Sequence, residues 1–142
     1  MNFSFKRTQP RIIAVLLVVI AVIGCLTYAW CRPSLPPWWR GHGGGIPYVL
    51  FWIFLAFLVW PARKHALRIC VAVVLVTTAL EFLQLWNPEP LATIRSTRFG
   101  VALLGNSFDW ADIPPYFVGG LIGYLVLFAS STPGRCNTSV DA

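Results

Sequence analysis

Residues 66–86 read ALRICVAVVLVTTALEFLQLW. The stretch is apolar enough to cross a bilayer, yet it carries Glu81 and Gln84 near one end. An ionisable side chain in a membrane span is costly, so it usually has a named partner or a job. The loop that follows supplies Arg95, Arg98, Asp109 and Asp112.

Composition extends this reading to the whole chain. Of 142 residues, 57% are hydrophobic and 11% charged, and the mean hydropathy is +0.69. A soluble domain carries about 25% charged residues. Here the charges cluster between long apolar runs, as in polytopic membrane proteins. The net charge of +6 does not point to nucleic acid. No basic stripe with interleaved aromatics lies on a soluble element. Cytoplasmic anchoring charge explains it better.

The expected fold is an all-α integral membrane protein, one domain over residues 1–142 with four transmembrane helices. The spans run over about 12–30, 46–60, 66–86 and 114–130. The second is only about 22 Å long, against a hydrocarbon core of about 30 Å. Local thinning or protein contact at its Gly-rich start must make up the difference. Pro47, Pro114 and Pro115 fall in first turns, where a missing N–H does least harm. Trp30, Trp60, Trp86 and Trp110 fall near span ends and mark the interface. Residues 131–142 read as a flexible tail.

The segment from Asn87 to Ile113 is too long for a simple connection and too apolar for a solvated one. Pro88-Glu89-Pro90 ends the third helix. Leu91, Ile94, Arg95, Arg98 and 101–104 suggest a short interfacial or re-entrant helix between the third and fourth spans. Non-helical backbone at membrane depth needs protein cover, and Gly100 and Gly105 allow close approach. Asp109 and Asp112 both suit a helix N-cap. Asp112, two residues before Pro114, fits a cap of the fourth span better than a catalytic acid.

Seven of the eleven basic residues precede the first span, join the second to the third, or follow the fourth. The positive-inside rule then puts both termini in the cytoplasm. Glu81, Gln84, Arg95, Arg98, Asp109 and Asp112 would share the outer face.

The N-terminus has two readings. Val22-Ile23-Gly24-Cys25 loosely resembles a lipoprotein signal, with Cys25 as the lipidated residue. The apolar run continues past Cys25 to Trp30, and no A-x-A site is present, so an uncleaved span is expected. No C-x-x-C occurs, and His42 and His65 fall on opposite faces, so no metal site is expected. A Cys25–Cys31 bridge would need a break in the helix.

Glu81 and Gln84 stand i, i+3 on one helix face, and Thr77 and Thr78 extend the stripe by a turn. Two readings stay open. The stripe is an interhelical hydrogen-bond patch, or it is part of a Glu–Arg or Glu–Asp cluster that binds or protonates something. An Arg95 or Arg98 partner would keep Glu81 charged. In the fourth span Gly119-x-x-x-Gly123, with Gly120, offers a smooth face for tight packing.

Several motifs together resemble a known family. They are Glu81-Phe-Leu-Gln84-Leu-Trp86, Ile94-Arg95-Ser-Thr97, Leu104-Gly105-Asn-Ser-Phe108-Asp-Trp110-Ala-Asp112, then Tyr116 and Gly119. In order and spacing they are similar to the bacterial membrane-protein family of domain of unknown function 2809, over about residues 48–128. The E-x-x-Q…D…G skeleton is more distantly VanZ-like. The resemblance implies a multi-pass protein of a bacterial cytoplasmic membrane. It also implies that Glu81, Gln84, Arg95, Thr97, Asp112 and Tyr116 occupy signature positions. The family's R-x-x-x-G-D step is met by Arg40 and Gly44, but Gly45 stands where an Asp would be. The resemblance adds a site more than a function.

The candidate ligand site is therefore Glu81, Gln84, Arg95, Arg98, Asp109, Asp112 and Tyr116. One function it suits is binding a cell-envelope lipid or anionic head group, with Arg95 and Arg98 on the anion. The alternative is a structural or accessory subunit that partners another membrane protein. An intramembrane enzyme with Glu81 as acid or base ranks below both, since no Ser-His pair or HExxH motif supports it. No cofactor is implied.

Topology gives the first test. Alkaline phosphatase fused after Asn106 should be active, and fused after Lys64 inactive. The reverse pattern would put the polar cluster inside the cell.

Overall fold

The computed structural model describes residues 5–86, 89–97, 100 and 108–130. Among these the chain is helical, with no strand. The helices are α1 (Phe5–Cys31), α2 (Pro37–His42), α3 (Gly45–Val59), α4 (Arg63–Gln84), α5 (Glu89–Arg95) and α6 (Ile113–Ser130). Single 3-10 turns at Arg32–Ser34 and Trp110–Asp112 precede α2 and α6. Arg98, the run 101–105 and the tail 131–142 lie outside the described residues.

Four stretches are long and apolar enough to cross a membrane: Pro10–Ser34, Pro37–Val59, Lys64–Gln84 and Trp110–Ser130. The protein is thus an all-α, multi-pass membrane protein, with α5 between the third and fourth spans. The second span is longer than its apolar run suggests. Gly43 (φ −61°, ψ −22°) and Gly44 (φ −65°, ψ −20°) keep helical angles, so α2 leads almost without a break into α3. The 23 residues of Pro37–Val59 reach about 34 Å and need no thinning of the bilayer. The third span stops at Gln84 rather than Trp86. The Leu85 and Trp86 amides bond to the carbonyls of Phe82 and Leu83, both at 3.1 Å, which tightens the last turn. Trp30, Trp60, Trp86 and Trp110 are all exposed at span ends, as interfacial Trp should be.

α3 is the hub and packs against α1, α4 and α6, while α6 also packs against α4. Val49, Ile53, Phe54 and Phe57 are its buried residues. α1 meets the hub through small residues, with Ala14 and Ala21 buried two turns apart. Its other face exposes Val15, Val19, Ile23 and Leu26, among others, which suits a helix bathed in acyl chains. Cys25 and Cys31 are free thiols on one unbroken helix.

The glycines of α6 set its depth. A Cβ on Gly119 would stand 3.1 Å from the Ile46 carbonyl oxygen of α3, and one on Gly123 2.8 Å from Ile53 Cδ1. A Cβ on Gly120 would stand 2.5 Å from Val74 Cγ2 of α4. The glycine face thus seats α6 against both neighbours.

This predicts an asymmetry. Gly120→Ala should destabilise by about 1–3 kcal/mol, the usual cost of overpacking, and Val74→Ala should recover part of it. Gly119→Ala presses on the Ile46 backbone as well as on Val49 Cβ, so trimming a side chain should relieve it less. Thermal unfolding in detergent checks both. Equal rescue at the two positions would contradict this packing.

Candidate functional site

Thr77, Glu81 and Gln84 recur on one face of α4, as the helical period requires. Thr77 (4% exposed) and Glu81 (5%) are the buried polar side chains of the described core. The Thr77 hydroxyl donates to carbonyls of its own helix, Val73 at 2.9 Å and Val74 at 3.0 Å. It therefore does not act as glue between helices. The Thr78 hydroxyl is buried without a hydrogen-bond partner.

Glu81 is held by two donors. Gln84 Nε2 donates to Oε2 at 2.8 Å, one turn along the same helix. The Tyr116 hydroxyl donates to Oε1 through a short bond from the first turn of α6. Pro114 and Pro115 open that turn, and Tyr116 is itself buried. Its ring lies where a side chain at position 45 would be. A Cβ on Gly45 would stand 2.9 Å from Tyr116 Cε1 and 3.0 Å from Pro115 Cβ. The departure at Gly45 from the pattern of the resembled family therefore falls against the site. The missing side chain leaves room for the tyrosine ring.

Among the described residues, no guanidinium bonds Glu81. Its described partners are the neutral hydroxyl of Tyr116 and the neutral amide of Gln84. Arg98 lies outside the described residues. Arg95 ends α5, and nothing is described of its side chain.

The second group centres on His42, which sequence reasoning missed. His42 closes α2, and its Nδ1 lies 2.6 Å from Asp112 Oδ1. Its Nε2 lies 3.9 Å from Asp109 Oδ2. The helix cap also differs from expectation. Asp109 Oδ1 accepts from the Ala111 amide at 2.9 Å and caps the 3-10 turn, while Asp112 turns to His42. One signal could have found the histidine. It precedes the second span on the same side of the bilayer as the two aspartates.

An aromatic cluster adjoins the two groups. Phe82, Phe108 and Trp110 stack with ring centroids 4.9–5.8 Å apart, joining the end of α4 to the start of the fourth span. Such edge and tilted contacts add to simple burial.

A carboxylate beside a histidine is half of a nucleophile-activating arrangement. Among the described residues no hydroxyl or thiol bonds to His42, and no three His, Cys, Asp or Glu side chains converge as metal ligands. What the geometry offers is an acceptor-rich polar end on a bundle of apolar helices, with Glu81 and Tyr116 buried and Asp109 exposed.

The profile of the family described as Protein of unknown function (DUF2809) matches residues 34–120. The chain belongs to that family. The matched segment contains His42, Glu81, Gln84, Asp109, Asp112 and Tyr116. No curated protein and no solved structure matches the chain.

The Tyr116–Glu81 bond should be measurable by a double-mutant cycle. Tyr116→Phe leaves a buried carboxyl group short of a donor and should cost about 1–3 kcal/mol. Combined with Glu81→Gln the losses should be non-additive by at least about 0.5 kcal/mol. Additive losses in a detergent unfolding titration would show that the bond contributes nothing.

Proposed function

We propose that this member of the DUF2809 family binds a membrane lipid, with an acyl chain between α3 and α4 and the head group at the polar end. One observation carries the reading. An apolar groove of about 500 Å³ runs between these helices, lined by Tyr48, Trp52, Ala56, Ala72, Val76 and Thr77, among others. Glu81 follows Thr77 by one helical turn on the same face of α4. The groove therefore leads from hydrocarbon to the buried polar cluster, the shape an amphiphile requires.

Its dimensions support a single chain. On α3 the lining extends from Tyr48 to Val59, which is about 16 Å at the helical rise. One leaflet of a bilayer is about 15 Å of hydrocarbon. The polar end then lies at head-group level, one turn from the end of α4. By the basic-residue count, this end would lie on the outer face of a cytoplasmic membrane, with both termini inside. Arg95 and Arg98, close in sequence to the same end, would supply anion contacts to a head-group phosphate.

Filling the groove tests the reading. Ala72 is exposed on the groove wall, so Ala72→Phe should block it without overpacking the core. The variant should melt near the wild type and lose co-purifying lipid, measured by mass spectrometry of extracts from matched preparations. Unchanged lipid content would remove this reading and favour an accessory-subunit role.

A further inference from the structure

Among the described residues, acceptors outnumber donors at the polar end. Both oxygens of Glu81 accept one bond each, from Tyr116 and Gln84, and each can accept another. The Gln84 amide turns its NH2 toward Oε2. The amide oxygen is then the atom left over, and Gln84 Oε1 is buried with no hydrogen-bond partner. Asp112 and Asp109 add two more carboxylates at the same end. Among the described residues, the only basic nitrogens within 4.0 Å of any carboxylate are those of His42. Asp112 takes one at 2.6 Å, and Asp109 stands 3.9 Å from the other.

A buried acceptor without a donor, as Gln84 Oε1 is, is costly. A ligand that completes this set must bring donors. A hydroxyl brings one donor and two lone pairs, so it adds to the excess of acceptors. A primary ammonium brings three donors and no acceptor. It also brings positive charge to Glu81, Asp109 and Asp112, whose one basic neighbour within 4.0 Å among the described residues is His42. A head-group phosphate would be left to Arg95 and Arg98, and the ammonium to the carboxylates.

We propose that the site selects a primary ammonium head group, as in an ethanolamine phospholipid. Its N–H groups bond to the Glu81 carboxylate and Gln84 Oε1, and one acyl chain lies in the α3–α4 groove. The inference rests on the lipid-binding reading and narrows it to one head-group chemistry.

Native mass spectrometry of the purified chain, titrated with three lipids of identical acyl chains, tests it. The heads are ethanolamine, choline and glycerol. Choline keeps the positive charge but replaces every N–H by methyl, and glycerol supplies hydroxyls without the charge. Ethanolamine lipid should bind about tenfold more tightly than either, a difference within reach of one charge-assisted bond. Glu81→Gln should erase most of that preference. Gln84→Met should also reduce it, and it tests the same point on a half-buried side chain if Glu81→Gln does not fold. Ala72→Phe should weaken all three lipids together. Equal binding of the three heads, with Ala72→Phe still blocking them, would overturn the ammonium assignment and leave the groove reading standing. Choline binding equal to ethanolamine would overturn the donor argument in the same way. If Ala72→Phe changes nothing, the groove reading fails and the head-group assignment fails with it.

Discussion

A carboxyl group buried in a membrane bundle must be met by donors, because neither lipid nor water is there to meet it. Glu81 satisfies this with one donor from its own helix and one from α6. The second sets the architecture. Tyr116 reaches α4 only if the start of α6 is drawn deep against both α3 and α4. Gly119 allows the approach to α3 and Gly120 the approach to α4. Gly45 then clears the space that the tyrosine ring occupies. Three residues without side chains thus serve one hydrogen bond.

The two ends of the bundle are held differently. At the polar end, Tyr116–Glu81 ties α6 to α4, and His42–Asp112 ties the end of α2 to the residue before α6. These contacts are directional and fix rotation as well as distance. Toward the other end the core is Phe57, Ala66, Ile69 and Leu127, which pack without directional bonds. Apolar packing alone tolerates small rotations of a helix in lipid. The bonded end does not, so it is the end suited to holding a ligand in a defined pose.

The sequence made the spans legible, because lipid demands long apolar runs and continuous helix. It placed the second span close to α3 but did not show that α2 joins it across Gly43 and Gly44. Glycine reads as a break when water can take up the freed backbone groups. In an apolar medium the backbone keeps its own bonds, and both residues remain helical. The Glu81–Gln84 stripe was legible from the helical period. Its described partner on α6, Tyr116, was not, because a neutral hydroxyl leaves no charge pattern in the sequence. His42 pairs with Asp112 across 70 positions, and no local pattern carries such a contact.

The groove and the glycine face are two results of one arrangement. α6 enters between α3 and α4 on one side, and its small residues let it sit close to both. A helix wedged there holds α3 and α4 apart on the side it does not fill. That is where the groove opens, lined by residues of α3 and α4 alone. Tyr116 stands on the wedge and bonds Glu81 on α4, one turn beyond the groove's Thr77. A chain that entered the groove would press on the helices whose separation α6 sets, and a head group at Glu81 would meet the bond that seats α6. Groove width and carboxylate geometry are therefore coupled through one helix, so occupancy of either part should favour the other.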